Sequence, residues 1–375
     1  MSAQGIWLAR PESPEDGIPL AVKDLFDTAG LTTTYGSILF ADHVPDRTAE
    51  AVLRLERAGF VDVGKTNLHE FAYGVTSQNA HFGTVPNPIA PGRTAGGSSG
   101  GSAAALAARL ADAALGSDSG GSIRIPAACC GVAGFKGTYG RVPLEGCFPL
   151  APTFDHAGPM ALSVAECAAM FEALVPDFEP AEPVALDELR VGVAWLEDCK
   201  PLVRERLRAA AALIPGARGV DFPLGRGVGP LFMREVADVH RDLFAENAET
   251  YGPSVRAKIE LCLAVGDAEA EAAARLREDY REQAERALAG IDLLVVPTLA
   301  FVAPPLPEDE RDVREAMIRF TFPFNVLGWP ALALPAGSAE DGLPASVQLV
   351  GRPGDDALVL AAGEALEASL ERGSP

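Results

Sequence analysis

The sequence predicts an α/β protein organised around one large, mixed and mostly parallel β-sheet covered on both faces by helices. Three observations lead there. Helical and strand-like segments alternate through the first half of the chain, the pattern that builds covered, largely parallel sheets. Strand-like runs return after a long helical stretch, and Gly-rich segments stand on both sides of one helix of small residues. A length of 375 residues alone suggests about two ordinary domains. The strands flanking the helical stretch argue instead for a single domain over 1–375 with a mainly helical insertion at about 201–290.

Each element follows from local pattern. Thr48 is placed to cap a helix running to Ala58, with Val52 and Leu55 on one face; Gly59 stops it, and Phe60 to Val63 reads as a short strand. Gly96 to Gly101 and Gly116 to Gly121 bracket a helix from about Ala103 to Ala111, a tight backbone environment. Leu189 to Trp195 alternates as a strand. Residues 201–290 are charged and mostly helical, with Val236, Val239, Leu243, Leu276 and Tyr280 recurring at helical spacing as a covering face. Strands return at Ile291 to Val296, Ala331 to Leu334 and Ser346 to Val350, and a last helix starts at about Ala357. There is no internal repeat and no low-complexity tail.

Composition excludes several function classes. Against 31 basic residues stand 52 acidic ones, a net charge of −21 that repels a phosphate backbone, so nucleic acid is not expected as a direct partner. The six cysteines form no C-x-x-C pair and have no histidine spaced to complete a zinc site; no metal or cofactor is expected, and a reduced, cytoplasmic protein fits. Neither a signal peptide nor a membrane span is visible, since Arg109 and Asp112 break the Ala-rich stretch. Lysine is scarce at five against 26 arginines, so each lysine in an apolar setting calls for a reason.

Two short motifs match and fail on context. Gly59, Gly64, Lys65 and Thr66 satisfy G-x-x-x-x-G-K-[ST]. A phosphate loop, however, follows a strand and is open between its glycines, whereas here a helix precedes and the interior is strand-like. Gly96 to Gly100 satisfies G-x-S-x-G, which requires a later Asp and His. His156 and His240 are the downstream histidines, and neither has an evident triad setting.

A longer pattern covers most of the chain. GGSSGGSAAA at 96–105, GSDSGGSIRIPA at 116–127 and GVAGFKGTYG at 131–140 together resemble the amidase signature. GIPLAVKD at 17–24, GKTNLHEFA at 64–72, PNP at 86–88, DHAGP at 155–159, DLLVVPT at 292–298, FNVLGWPA at 324–331 and GLPASVQLVG at 342–351 extend the resemblance. It implies the amidase signature fold and cleavage of a carbon–nitrogen bond of a small-molecule amide through an acyl-enzyme. Carried over position by position, Ser122 is the nucleophile, Ser98 the bridging serine after a cis peptide bond from Gly97, and Lys23 the base. The backbone amides of Ser119, Gly120, Gly121 and Ser122 are the implied oxyanion hole, and Asp118 and Arg124 an ion pair bracing the loop. The family also includes one component of a tRNA-dependent amidotransferase, its amidase chain. That role, hydrolysis of a carbamate or urea derivative, and a non-catalytic role in an assembly stay open as alternatives.

The chemistry sets its own demands. A lysine of ordinary pKa, about 10.4, is almost wholly protonated near neutrality and a poor base. Burial favours the neutral amine, and Lys23 follows the apolar run Pro19 to Val22; a bland reading pairs it with Asp24 instead. Cys129 and Cys130 read as small buried fillers and His69 as structural. Tyr73, Phe148 and Phe324 are candidates to line an apolar substrate pocket, though core packing accounts for them equally. Gly137 stands where the family commonly has Pro, and Ser117 and Ser119 stand where it has Thr. Some relatives select a carboxylate with an Arg three residues after the nucleophile; Ile125 occupies that place, so an anionic substrate is not indicated. Relatives generally carry a helical segment before the lysine that often contributes to dimers; here Lys23 lies near the start, and a homodimer is one possible state.

Overall fold

A computed structural model describes residues 4–12 and 16–373. Its strands are β1 (Trp7–Ala9), β2 (Ile18–Lys23), β3 (Phe60–Thr66), β4 (Gln78–Asn79), β5 (Gly83–Thr84), β6 (Ala113–Ser117), β7 (Ala133–Lys136), β8 (Ala157–Ala161), β9 (Val191–Val193), β10 (Arg218–Gly219), β11 (Leu293–Pro297), β12 (Ala331–Ser338) and β13 (Pro344–Val350). Eleven of them form one sheet in the order β1-β3-β2-β6-β8-β7-β12-β13-β11-β9-β10, and β4 and β5 pair separately.

The sheet is mixed and helix-covered, as the sequence predicts. Parallel pairing is concentrated in two blocks, β3-β2-β6 and β11-β9-β10. The pairings between and beyond these blocks, including all of β6-β8-β7-β12-β13-β11, run antiparallel. The parallel character expected of the whole sheet therefore belongs to its flanks. Connection length explains the difference: a parallel neighbour needs a crossover of a dozen or more residues, whereas β12 and β13 are joined by a short turn at Glu340–Gly342.

Alternation along the strands gives the sheet two apolar faces. Leu20, Val22, Ala113, Leu115 and Phe135 enter the main core, with Phe135 edge-on to Phe171 of the helix Val164–Leu174. Ala21, Ala114, Met160 and Ala333 face the other way, onto Ala103 to Leu106 of the helix Gly100–Ala107. That helix begins earlier than the sequence suggests because its glycines sit against neighbouring backbone: a Cβ on Gly101 would lie 2.2 Å from the Asn67 carbonyl oxygen. The helix Glu50–Arg57 buries Ala51, Val52 and Leu55. Thr48 does not cap it; its Oγ1 accepts from the Ala29 amide at 3.0 Å instead.

Four helices, Pro201–Ala212, Gly229–Asn247, Pro253–Leu263 and Asp267–Ala287, fill most of 201–290, with β10 between the first two. Val236 and Tyr280 are buried as the spacing implies, but Leu276 is 43% exposed. Among the described residues no helix is long and apolar enough to cross a membrane, and no cluster of ligating side chains could hold a metal ion.

Candidate active site

The parallel register of β2 and β6 sets the site. Val22 pairs with Leu115, so Lys23, the last residue of β2, comes beside Ser117, the last of β6. Lys23 Nζ lies 2.8 Å from Ser117 Oγ and donates to Ser98 Oγ at 2.7 Å. Ser98 follows a cis peptide bond from Gly97 and lies just before the helix Gly100–Ala107. Ser122 stands in the turn between β6 and the helix Arg124–Cys130. The Ser99 amide donates to the Ser122 carbonyl at 3.2 Å, joining the two serine segments. Among the described residues the Ser122 hydroxyl makes no hydrogen bond with Ser98, so the geometry closes Lys23 to Ser98 and leaves the Ser122 side chain free.

Lys23 is fully buried, and burial brings its amine down to about 7, against the smaller opposing pull of Asp118 and Asp155. The bland pairing with Asp24 is absent. Asp24 meets Lys65 at 3.4 Å and accepts from the Thr34 amide and hydroxyl. Lys65 lies inside β3, fully buried, and also donates to the Phe26 carbonyl and to Thr33 Oγ1; the segment that resembles a phosphate loop is a core strand.

Asp118 organises the loop that carries Ser122. Arg124 grips its carboxylate in a buried ion pair, Nη2 to Oδ1 at 2.9 Å and Nε to Oδ2 at 3.0 Å. Burial alone would raise this carboxyl; Arg124, Lys136 and the Asn325 amide outweigh it and hold the group well below the usual carboxylate range. Asp118 Oδ1 also accepts from the Gly121 amide at 2.8 Å, and Oδ2 from the Ile123 amide at 3.1 Å. The Gly121 N–H, expected among the oxyanion donors, is thus engaged by Asp118. Among the described residues the amides of Ser119, Gly120 and Ser122 have no such partner. Gly121 serves through its backbone instead, at φ +128°, where a Cβ would come 2.2 Å from Thr321 Oγ1.

An apolar cavity of about 160 Å³ adjoins these groups, with Ser117, Ser119, Cys147, Phe148 and Asp155 among its lining. Phe148 lines this cavity. Phe324 does not: it is wholly buried between Trp195 and Phe222, in the core. Tyr73 is also internal, its hydroxyl 3.1 Å from Cys262 Sγ and its carbonyl held by Lys258. His156 and His240 support no serine: Nδ1 of His156 bonds the Phe154 carbonyl at 2.7 Å, and Nδ1 of His240 bonds the Tyr251 hydroxyl at 3.0 Å. Cys129 and Cys130 are buried fillers, with burial pushing the Cys129 thiol up to about 12.

The sequence profile of the family Amidase matches residues 4–187 and 226–360. The chain belongs to the amidase family. It is 35% identical over 412 residues to the A chain of the glutamyl-tRNA(Gln) amidotransferase of Chloroflexus aurantiacus, covering 96% of this chain and 84% of that one. It is 36% identical over 385 residues to the 1-carboxybiuret hydrolase subunit of Pseudomonas sp. strain ADP, covering 94% of this chain and 84% of the relative. A crystal structure of an amidase superposes with a TM-score of 0.86 at 40% identity, over 94% of this chain and 84% of that one. This membership makes the chain an amidase-family hydrolase of carbon–nitrogen bonds, built on the amidase signature fold.

Several residues of the amidase site have no role that the sequence assigns. In the sequence Ser117 is only a departure from Thr, yet it bonds Lys23. Asn325 and Gln348 lie in the motif segments, and both accept from Arg124, at 2.7 Å and 2.6 Å. Asp155 receives the Ser119 hydroxyl at 2.5 Å. The register of β2 against β6 is the signal for Ser117; nothing in the sequence pairs Arg124 with residues some two hundred positions away.

Proposed function

We propose that this family member hydrolyses small-molecule amides with Ser122 as nucleophile, Ser98 as proton relay and Lys23 as base. The observation that carries the reading is a fully buried lysine, brought down to about 7, within 2.7 Å of the Ser98 hydroxyl. In the neutral amine the Nζ lone pair accepts the Ser98 proton while an N–H stays on Ser117. As Ser122 Oγ bonds to the carbonyl carbon, its proton passes to Ser98 and that of Ser98 to Lys23. The amides of Ser119, Gly120 and Ser122 stabilise the oxyanion. Lys23 returns the proton through Ser98 to the leaving nitrogen as the carbon–nitrogen bond breaks, and water then hydrolyses the acyl-enzyme by the same relay. The cavity beside Ser119 receives the apolar part of the substrate, consistent with Ile125 standing where an arginine would select a carboxylate.

A fluorophosphonate probe tests the nucleophile: wild type is labelled and Ser122→Ala is not. Failure of folded wild type to label overturns the reading. The similarity to the A chain of an amidotransferase favours a second reading, activity as one part of an assembly. Ammonia release from glutamine that appears only with added partner proteins supports it, and solitary turnover of unrelated amides, carbamates or ureido acids opposes it.

A further inference from the structure

The acyl cavity is walled mainly by one irregular segment. Phe148, Pro149, Leu150, Pro152, Asp155 and His156 supply six of its eleven lining residues, and none of the six lies in a helix or strand. A segment without a backbone ladder of its own keeps its place through the contacts that tie it to its neighbours. On the inner side the tie is Asp155, buried, which accepts from Ser119 Oγ at 2.5 Å and from the amides of Leu150 and Ala151 at 2.9 and 3.1 Å.

On the outer side the tie comes from the helical insertion. Glu235, on the helix Gly229–Asn247, accepts from the Thr153 amide at 2.8 Å and from the Thr153 hydroxyl at 2.5 Å. Arg277, on the helix Asp267–Ala287, donates to Thr153 Oγ1 at 2.7 Å and to the Thr153 carbonyl at 2.9 Å. Its Nε donates to the Val326 carbonyl at 2.8 Å, and its guanidinium lies 4.3 Å from the centroid of the Phe154 ring. Every polar group of Thr153 is therefore held by one of two side chains from the insertion. Thr153 itself is exposed, so these bonds grip the rim of the cavity from outside and are no part of the core.

The size and charge of the cavity indicate what it holds. Its volume of about 160 Å³ is the room that one six-membered ring needs, since a dry apolar cavity of about 150 Å³ takes up benzene. Among the described residues its lining holds no lysine or arginine, and Asp155 stands on the wall, so an anionic acyl group finds no partner there. Resting on the acyl-enzyme reading above, we propose that Glu235 and Arg277 are positioning residues for substrate selection. By clamping Thr153 they hold the wall at the width of a compact, apolar acyl group of about one ring, which makes aroyl amides such as benzamide the substrate class. Neither residue touches the reacting atoms; each acts through Thr153 on the segment that carries Pro152 and Asp155.

The test measures ammonia release by the full chain from acetamide, benzamide and 2-naphthamide, which differ only in the acyl group. Wild type should favour benzamide over each of the others by about tenfold or more in kcat/KM. Thr153→Val, which keeps the shape and loses the hydroxyl, and Arg277→Met should cut that preference about fivefold through a higher KM for benzamide, leaving acetamide within about twofold of wild type. Thr153→Ser, which keeps the hydroxyl, should behave as wild type. A generally weakened fold would lower all three amides together and would not separate Ser from Val at position 153. Calorimetry of benzamide on Ser122→Ala keeps the nucleophile out of the question: binding should persist there and weaken about fivefold when Thr153→Val is added. If Ser122→Ala still turns over benzamide with a preference that depends on the clamp, the nucleophile reading falls and the clamp stands. A preference equal in wild type, Thr153→Val and Arg277→Met, or benzamide and 2-naphthamide used alike by wild type, would overturn the inference. So would benzamide that neither reacts with wild type nor binds to Ser122→Ala.

Discussion

If Lys23 is the base, the rate must follow its neutral fraction, and its burial fixes where. With the amine brought from 10.5 to about 7, roughly one molecule in ten is competent at pH 6 and about nine in ten at pH 8. kcat/KM should therefore rise about tenfold between those values and then level off. An unperturbed lysine would be only about 0.3% neutral at pH 8 and would still gain close to tenfold per unit at pH 9. Stability carries the same signature. Between pH 7 and 10.5 the unfolded chain holds a proton that native Lys23 has released, so unfolding takes up protons and stability rises with pH. The gain is about 1.4 kcal/mol per unit, on the order of 5 kcal/mol over the window, measured against Lys23→Met to remove other titrations. Lys23→Met should be the more stable protein at pH 7 and lose that margin toward pH 10, while its activity falls by about 10² to 10⁴. The assays are kcat/KM on a small amide from pH 5.5 to 9.5 and urea unfolding of both proteins. A flat rate between pH 6 and 8, or a stability difference independent of pH, would refute the assignment.

Arg124→Met leaves the Asp118 carboxylate buried and unpaired and should cost about 3 to 5 kcal/mol, read as a lower urea midpoint. Gly121→Ala forces a Cβ toward Thr321 Oγ1 at φ +128° and should lower kcat by about 10² to 10³ through displaced oxyanion donors, with KM little changed. Phe148→Ala should raise KM for substrates with an apolar acyl group and also lower Tm, because Phe148 lines the cavity while packing on Tyr35, Phe40, Phe71 and His240. Phe324→Ala should cost more, about 3 to 5 kcal/mol of stability, with no selective effect on KM.

The contrast between Phe148 and Phe324 shows where sequence reading ends. Both are aromatic residues in the region of the site, and apolar character alone says only that each leaves water. Which one meets a cavity depends on the turn after β7 and on how the helix Phe322–Leu327 packs under Trp195, a tertiary matter. Lys23 and Ser98 were legible because seventy-odd intervening residues include several ordered motifs, and the alternation of β2 ends on the lysine. The Gly121 amide was not, since a glycine in a loop gives no sign that a neighbouring aspartate curls back to take its N–H. Thr48 failed for a related reason: a side chain that suits a helix cap suits a nearby loop amide equally, and here the Ala29 amide takes it. The mixed pairing of the sheet was hidden in connection geometry, because strand runs look alike whichever way the chain returns.

The scarcity of lysine sharpens the case for the base. Four of the five, Lys23, Lys65, Lys136 and Lys258, are buried. Lys65 has Asp24 and Lys258 has Glu310, each a carboxylate that stabilises the charged amine. Lys136 bonds the carbonyls of Gly137 and Trp329 and lies 3.3 Å from His156 Nε2, with no serine among its partners. Lys23 alone has both of its hydrogen bonds on hydroxyls, Ser98 and Ser117. The carboxylates nearest it are committed elsewhere: Asp118 to Arg124 and loop amides, Asp155 to Ser119 and the amides of Leu150 and Ala151. The fold thus withholds a carboxylate partner from two buried lysines, Lys23 and Lys136, and of these two only Lys23 sits on hydroxyls. A proton held only by burial-disfavoured charge and two neutral hydroxyls is the one that can leave and come back at neutral pH, which is what a shared acid and base must do.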